Sequence, residues 1–175
     1  MRENGGQYTH AAIWAVLAYL MQGDGDEACD LLAMLNPISH AEDPAAVGRY
    51  KVEPYALAAD DYSVAPHVGR GGWTWYTGAA AWLYRVALGD LLGLRVESRD
   101  GSDVLLVDPC IPKAWPEYEM TLRHKGGTWH IRVKNPRGAN RGVERVTLDG
   151  RDISDKVVPL AGDGEHEVVV TLLGG

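Results

Sequence analysis

Phenylalanine is missing altogether, so the aromatic content rests on six tryptophans and eight tyrosines. Rings that carry an N–H or O–H handle must then supply any flat surface on which a sugar could stack. Cys29 and Cys110 are the only thiols, and they lie far apart in differently patterned segments. A disulfide framework or a thiolate zinc site needs more thiols or closer ones; both read as buried thiols of a reducing compartment. No apolar run is long enough to span a bilayer, and no basic stretch followed by an apolar one opens the chain. The expectation is a soluble, cytoplasmic protein, with any membrane attachment of a parent protein lying in a region not present here. Basic residues are also short, 17 Lys and Arg against 24 Asp and Glu, giving a net charge of −7. That balance argues against a nucleic-acid surface. The glycine run near 69–72 lacks the Lys-Ser/Thr of a nucleotide-binding loop and sits in no βαβ unit. No Gly-x-Ser-x-Gly elbow is present. His40, His67 and Glu53 lack the i, i+4 spacing of a zinc site, so no metal is expected.

What is present centres on Gly69-Arg70-Gly71-Gly72-Trp73-Thr74-Trp75-Tyr76-Thr77-Gly78. The glycines permit tight turning, and Trp73 and Trp75 offer apolar faces for a sugar. Tyr76, Ala79, Ala80, Leu83, Tyr84, Ala87, Leu88 and Leu91 then recur at helical spacing. Thr77 and Gly78 fall in the first turn of that helix, where unpaired backbone N–H groups and the helix dipole can receive an anion. A plain glycine-rich turn with buried tryptophans would show the same pattern.

Upstream, the chain opens on a polar loop, 2–10, which reads as a cut through a larger protein. Residues 11–21 are apolar almost all round and predict a helix enclosed on several sides, with Thr9 as its N-cap. After the turn at 23–26, Ala28, Leu31, Leu32 and Leu35 mark an amphipathic helix ended by Asn36-Pro37. Such a pair suits the inner and outer rings of a helical barrel. Residues 38–68 show no sustained period, with one short helical turn expected at 56–59 after Pro54; their Tyr, Asp, Glu and His content suggests a functional loop region. Gly93 fits a helix C-cap and the domain boundary. Beyond it, short β-rich runs at 94–97, 104–107, 119–122, 129–133, 143–148, 157–158 and 167–172 alternate with turn signals such as Asp100-Gly101, Lys125-Gly126-Gly127 and Asp149-Gly150. The expected fold class is α+β: a helical segment, 1–93, followed by an antiparallel β-sandwich, 94–175.

Several side chains carry two readings. His10, in the first turn of its helix, either donates to an anion or is a surface capping residue. Glu3 and Glu53 either accept hydrogen bonds from sugar hydroxyls or are solvated loop carboxylates. Asp60 and Asp61 suggest a carboxylate pair, but adjacent residues point apart, and glycoside chemistry needs carboxyls facing each other at about 5–9.5 Å.

Taken in order, Arg2-Glu3-Asn4-Gly5-Gly6-Gln7-Tyr8-Thr9-His10, Asn36-Pro37-Ile38, Tyr50-Lys51-Val52-Glu53-Pro54-Tyr55, the 69–78 loop and Pro109-Cys110-Ile111-Pro112 resemble one family. It is the inverting glycoside phosphorylases of glycoside hydrolase family 94, with the nearest likeness to the C-terminal part of cyclic β-1,2-glucan synthases and to β-1,2-oligoglucan phosphorylases. The resemblance implies that residues 1–93 are the C-terminal part of an (α/α)6 barrel and 94–175 a β-sandwich. It implies phosphorolysis of β-glucosidic bonds to α-glucose 1-phosphate, with inorganic phosphate as co-substrate, a β-glucan oligosaccharide as partner and no cofactor. It assigns His10, Thr77 and Gly78 to phosphate and Glu3 to the glucosyl unit. The residues themselves add Glu53, Trp73 and Trp75 as substrate contacts.

The family's general acid is an aspartate upstream of the position of Glu3, so no catalytic acid is expected in this chain, which should be inactive alone. A glutamine expected after Glu-Pro-Tyr is replaced near Ala58-Ala59. An open arc of barrel would expose apolar helix faces, through which homo-oligomers could form. The reading from a different class is a non-catalytic glycan-binding or scaffold module, in which Trp115 and Trp129 would stack on the ligand. A hydrolase using Asp60 or Asp61 is a further reading.

Overall fold

The computed structural model describes residues 5–174. Glu3 lies outside them. The residues group into two units, one formed by 5–22 and Glu27–Ala87, the other by Gly23–Asp26 and 88–174.

In the first unit a short strand β1 (Gly6–Tyr8) runs into helix α1 (Thr9–Gln22), and helix α2 (Gly25–Leu35) follows, belonging to this unit from Glu27 on. Thr9 is the first helical residue rather than a flanking cap. Only one stripe of α1 is buried, made by Thr9, Ile13, Val16 and Leu20. Trp14 and Met21 are exposed. The expectation of a helix enclosed on several sides is therefore corrected: its other residues are partly or fully exposed, and only this stripe is buried. The segment without a sustained period holds a 3₁₀ turn (Ser39–Ala41) and a further helix, α3 (Pro44–Tyr50). Asp43 caps α3 by accepting from the N–H groups of Ala45 and Ala46, both at 2.8 Å, and Pro44 occupies the first turn, where no N–H is required.

Residues 56–59, expected as a helical turn, form no helix and are all buried. Their backbone groups are used elsewhere. Ala59 N–H lies 3.1 Å from the Gly72 carbonyl and 2.8 Å from that of Trp73, while the Leu57 and Ala59 carbonyls accept from Tyr76 and Thr9. Backbone bonding of that kind is incompatible with a helix ladder. Strands β2 (Asp60–Tyr62) and β3 (Gly71–Gly72) complete a three-stranded antiparallel sheet with β1 in the order β1-β2-β3. Helix α4 (Thr77–Val86) continues into a π turn (Ala87–Leu91). No described helix is long and apolar enough to cross a membrane.

The second unit is built from β4 (Leu94–Arg99), β5 (Ser102–Val107), β6 (Glu117–His124), β7 (Gly127–Lys134), β8 (Val143–Leu148), β9 (Arg151–Asp152), β10 (Val158–Pro159) and β11 (Gly164–Leu172). One sheet has the order β10-β5-β4, the other β6-β7-β11-β8-β9. Both contribute to a single core, with Leu105 and Val158 from the first and Trp129, Ile131, Val133, Val168 and Val170 from the second. Strand β7 shows why: Trp129, Ile131 and Val133 are buried while His130, Arg132 and Lys134 face solvent, the period-two pattern of a half-buried strand. Three hairpins turn on Asp100-Gly101, Lys125-Gly126 and Asp149-Gly150, each pair at positive φ, the geometry that follows the twist of antiparallel strands. One pairing departs from the antiparallel expectation. Strand β11 lies parallel to β7, from Gly164 opposite Gly127 to Thr171 opposite Lys134.

Trp129 is only 1% exposed and stacks on His166 at 5.2 Å between ring centroids. It is a core residue, so the reading in which it stacks on a ligand is corrected. Truncation to Ala should destabilise the chain by about 3–5 kcal/mol, the range for a buried aromatic, read as a lowered urea midpoint. Surface charge pairs add a pH dependence. Lys125 and His124 hydrogen-bond to Asp103, at 2.6 and 2.7 Å, and hold its carboxyl below the ordinary range. His166 and the Glu167 N–H do the same for Asp149, and Arg145 for Asp152. Groups whose folded pKa is depressed stabilise above their unfolded pKa and lose that contribution as protons bind. Thermal midpoints should therefore hold near neutrality and fall as pH drops below about 4, with a shallower fall in Asp103→Asn.

Candidate functional site

The starts of α1 and α4 are brought together by the buried strap at 57–59. Thr9 N–H donates to the Ala59 carbonyl at 2.9 Å, and Tyr76 N–H donates to the Leu57 carbonyl at 3.2 Å. Ala59 is fully buried and Ala58 nearly so, small side chains that let the backbones approach. The hydroxyls of Tyr8 and Tyr76 share a hydrogen bond of 3.0 Å, and their rings meet edge to face. His10 thus lies two residues beyond one end of this tie, and Thr77 and Gly78 directly beyond the other. Tyr76 caps α4 without a side-chain bond, so Thr77 and Gly78 are the first helical residues, the place where N–H groups have no intrahelical acceptor.

The His10 ring is stacked near-parallel to two others, Tyr8 and Trp82, each at 6.2 Å. Trp82 is also flanked by Trp14 at 4.7 Å and by the Arg85 guanidinium at 5.1 Å. Its indole N–H is buried with no acceptor among the described residues. Two near-parallel rings beside it restrain the imidazole plane before any ligand arrives.

Trp73 and Trp75 are 68% and 63% exposed, and both sit at positive φ, 57° and 60°. Bulky residues seldom adopt that conformation without compensation. Tyr55, 74% exposed, meets Trp75 edge-on at 6.0 Å. Three large rings are thus presented to solvent on adjoining loops. Glu53 lies just before Tyr55, half-buried, and its Oε2 is shielded from water with no donor among the described residues. An acceptor of that kind suits a ligand hydroxyl.

Asp60 and Asp61 are placed by β2, whose pleat sends them to opposite sides. Asp60 is buried, while Asp61 lies 3.7 Å from His40 Nε2. That His40 nitrogen donates to the Met34 carbonyl at 2.7 Å, and the ring stacks on Tyr50 at 4.6 Å. Burial raises the Asp61 pKa, with His40 opposing and Asp60 adding to the rise. Burial, with the Asp61 charge, also pushes the Tyr50 hydroxyl up. The cluster of His40, Tyr50 and Asp61 was not visible in the sequence, because its members come from three elements. Among the described residues no group of three or more His, Cys, Asp and Glu could hold a metal ion.

A carboxyl whose folded pKa is raised stabilises below its unfolded pKa, and that stability is lost as pH rises through the folded value. Asp61→Asn removes the charge that burial disfavours. It should raise the thermal midpoint at pH 7 and flatten the decline above about pH 4, as measured by circular dichroism melts across pH.

The family model described as the glycosyl hydrolase 94 superfamily, catalytic domain, matches residues 1–93. The cyclic beta-(1,2)-glucan synthase NdvB of Rhizobium meliloti (strain 1021) is 49% identical over 146 residues, 83% of this chain and 5% of the relative. The N,N'-diacetylchitobiose phosphorylase of Vibrio proteolyticus is 34% identical over 176 residues, 98% of this chain and 21% of the relative. The solabiose phosphorylase of Paenibacillus borealis is 33% identical over 172 residues, 97% of this chain and 22% of the relative. The chain therefore spans between 5% and 22% of the length of these curated relatives.

Proposed function

The chain belongs to the glycosyl hydrolase 94 superfamily, and from that premise we propose that it is part of a carbohydrate-active enzyme that acts on β-glucans with inorganic phosphate as co-substrate. In the reaction a phosphate oxygen attacks the anomeric carbon and forms the new C–O bond. The glycosidic C–O bond breaks, and its oxygen leaves with a proton from a carboxylic acid. The product is α-glucose 1-phosphate, inverted from the β-linkage. The reverse direction builds the glucan.

In this reading His10, Thr77 and Gly78 hold the phosphate. The observation that carries it is the convergence of the α1 and α4 starts on the strap at 57–59, with the tyrosine hydroxyl pair locking the junction. A small dianion is well served by N–H groups at a helix start together with an imidazole and a hydroxyl. Glu3 and Glu53 accept from sugar hydroxyls, and Trp73 and Trp75 supply stacking faces. The exposed tryptophans favour this part of the molecule as the glycan surface, and burial of Trp129 argues against the sheet core serving instead. The first unit is read as an arc of an (α/α)6 barrel and the second as its β-sandwich. Exposed Trp14, Met21, Met34 and Tyr84 are what neighbouring barrel helices, or a second copy, would cover. The acid that protonates the leaving oxygen is placed outside residues 1–175.

Nuclear magnetic resonance of the chain titrated with inorganic phosphate tests the anion site. The His10 imidazole signals should shift saturably, and Thr77→Ala should weaken that binding about tenfold, as expected for a lost charge-assisted hydrogen bond. His10 signals indifferent to phosphate would remove the site. In a separate assay on sophoro-oligosaccharides with phosphate, the chain alone should release no α-glucose 1-phosphate; release would show that the acid lies within it.

A further inference from the structure

A cavity of about 370 Å³ in the first unit is lined by Arg49, Lys51, Pro66, His67, Val68 and Arg70, with no carboxylate among its lining residues. In a chain carrying a net charge of −7, this gathers three permanent cations and a histidine around one hollow. Three further observations bear on it. First, none of the three cations has an ion-pair partner among the described residues, whereas Arg132 is paired with Glu119 and Arg145 with Asp152. Second, the loop carrying His67 and Arg70 is pinned by its own backbone. Tyr62 N–H donates to the Arg70 carbonyl at 2.9 Å, and Gly69 N–H returns to the Tyr62 carbonyl at 2.8 Å. Two bonds inside the loop, His67 to Val64 at 2.9 Å and Arg70 to His67 at 3.0 Å, hold its tip. The His67 ring is braced edge-on by Tyr62 at 6.2 Å. Third, Arg49 is seated against Gly69. A Cβ at that glycine would stand 2.9 Å from Arg49 Cδ, and its φ of +77° already disfavours any larger residue. The missing side chain leaves the guanidinium stem its place beside the loop.

Like charges lining one hollow repel one another unless an anion joins them. Guanidinium groups match the paired oxygens of a phosphate. We propose that this cavity is a binding site for a phosphate-type oxyanion, free or carried on a sugar. Arg49 and Arg70 are its principal ligands, with Lys51 and His67 as further donors. The hollow is large enough for a phosphorylated monosaccharide rather than the bare ion alone. None of its lining residues belongs to the His10, Thr77 and Gly78 group, so the inference stands independently of the function proposed above.

The test titrates the 175-residue chain with inorganic phosphate, glucose 6-phosphate and glucose in parallel, following the His67 imidazole and arginine Nε–H signals by nuclear magnetic resonance. Saturable shifts with glucose 6-phosphate are expected, weakening as salt is added. If phosphate gives the same shifts, the oxyanion alone is recognised; if only the sugar phosphate does, the sugar is read as well. Arg49→Gln combined with Arg70→Gln should weaken binding tenfold or more, Arg49→Lys should retain part of it, and His10→Ala should leave it unchanged. Both arginines are exposed, and unchanged circular dichroism will show that the variants fold. Equal shifts with unphosphorylated glucose, no shift with any anion, or undiminished binding in the double variant would overturn the proposal.

Discussion

The arrangement of the first unit depends on a strap of three residues, 57–59, that is neither helix nor regular sheet. Its carbonyls take the N–H groups at the starts of two helices, and its own N–H is met by the carbonyls of the glycine-tryptophan loop. Buried peptide groups must find partners, so the strap can lie in the interior only if those helix starts come to it. Ala58 and Ala59 keep it thin enough to fit. The position of His10 relative to Thr77 and the entry of the tryptophan loop both follow from this constraint.

The tryptophan loop shows how such a frame is used. Holding Trp73 and Trp75 at positive φ costs free energy that a relaxed turn would not. Backbone bonds from Ala59 to the Gly72 and Trp73 carbonyls fix that conformation, and the rings are left in solvent beside Tyr55. Exposed rings on a strained, well-tethered backbone fit a surface prepared for stacking better than one optimised for stability. In the second unit the balance is reversed. Trp129 lies within the core shared by two sheets, and the non-glycine residues at positive φ, Asp100, Lys125, Asp149 and Lys156, lie in turns and loops between strands.

Charge is divided in a similar way. Carboxylates of the second unit, such as Asp103, Asp149 and Asp152, are satisfied by cations or histidines of the same unit. In the first unit, Arg49, Lys51 and Arg70 stand together without carboxylate partners, and Asp61 is held where burial disfavours its charge. Polar groups left unbalanced by their own protein are the ones available to a ligand.

Much of this was legible in the sequence. Alternating or β-rich runs marked seven of the eight strands of the second unit, all but the two-residue β9, turn pairs such as Asp100-Gly101 marked the hairpins, and helical spacing marked α2 and α4, because these signals are local and each residue's neighbours in the chain are its neighbours in space. The ordered motifs carried the family. The sequence pattern also placed Thr77 and Gly78 at a helix start, where the structure has them. Tertiary structure alone decided the rest. The strap at 57–59 reads as helix former until its hydrogen-bond partners, from residues far away in the chain, are known. The parallel pairing of β7 and β11, the union of His40 with Asp61, and the cation-lined cavity each join segments that no periodicity links. Local propensity determines which elements form; only burial and backbone pairing between distant segments determine which of their side chains meet.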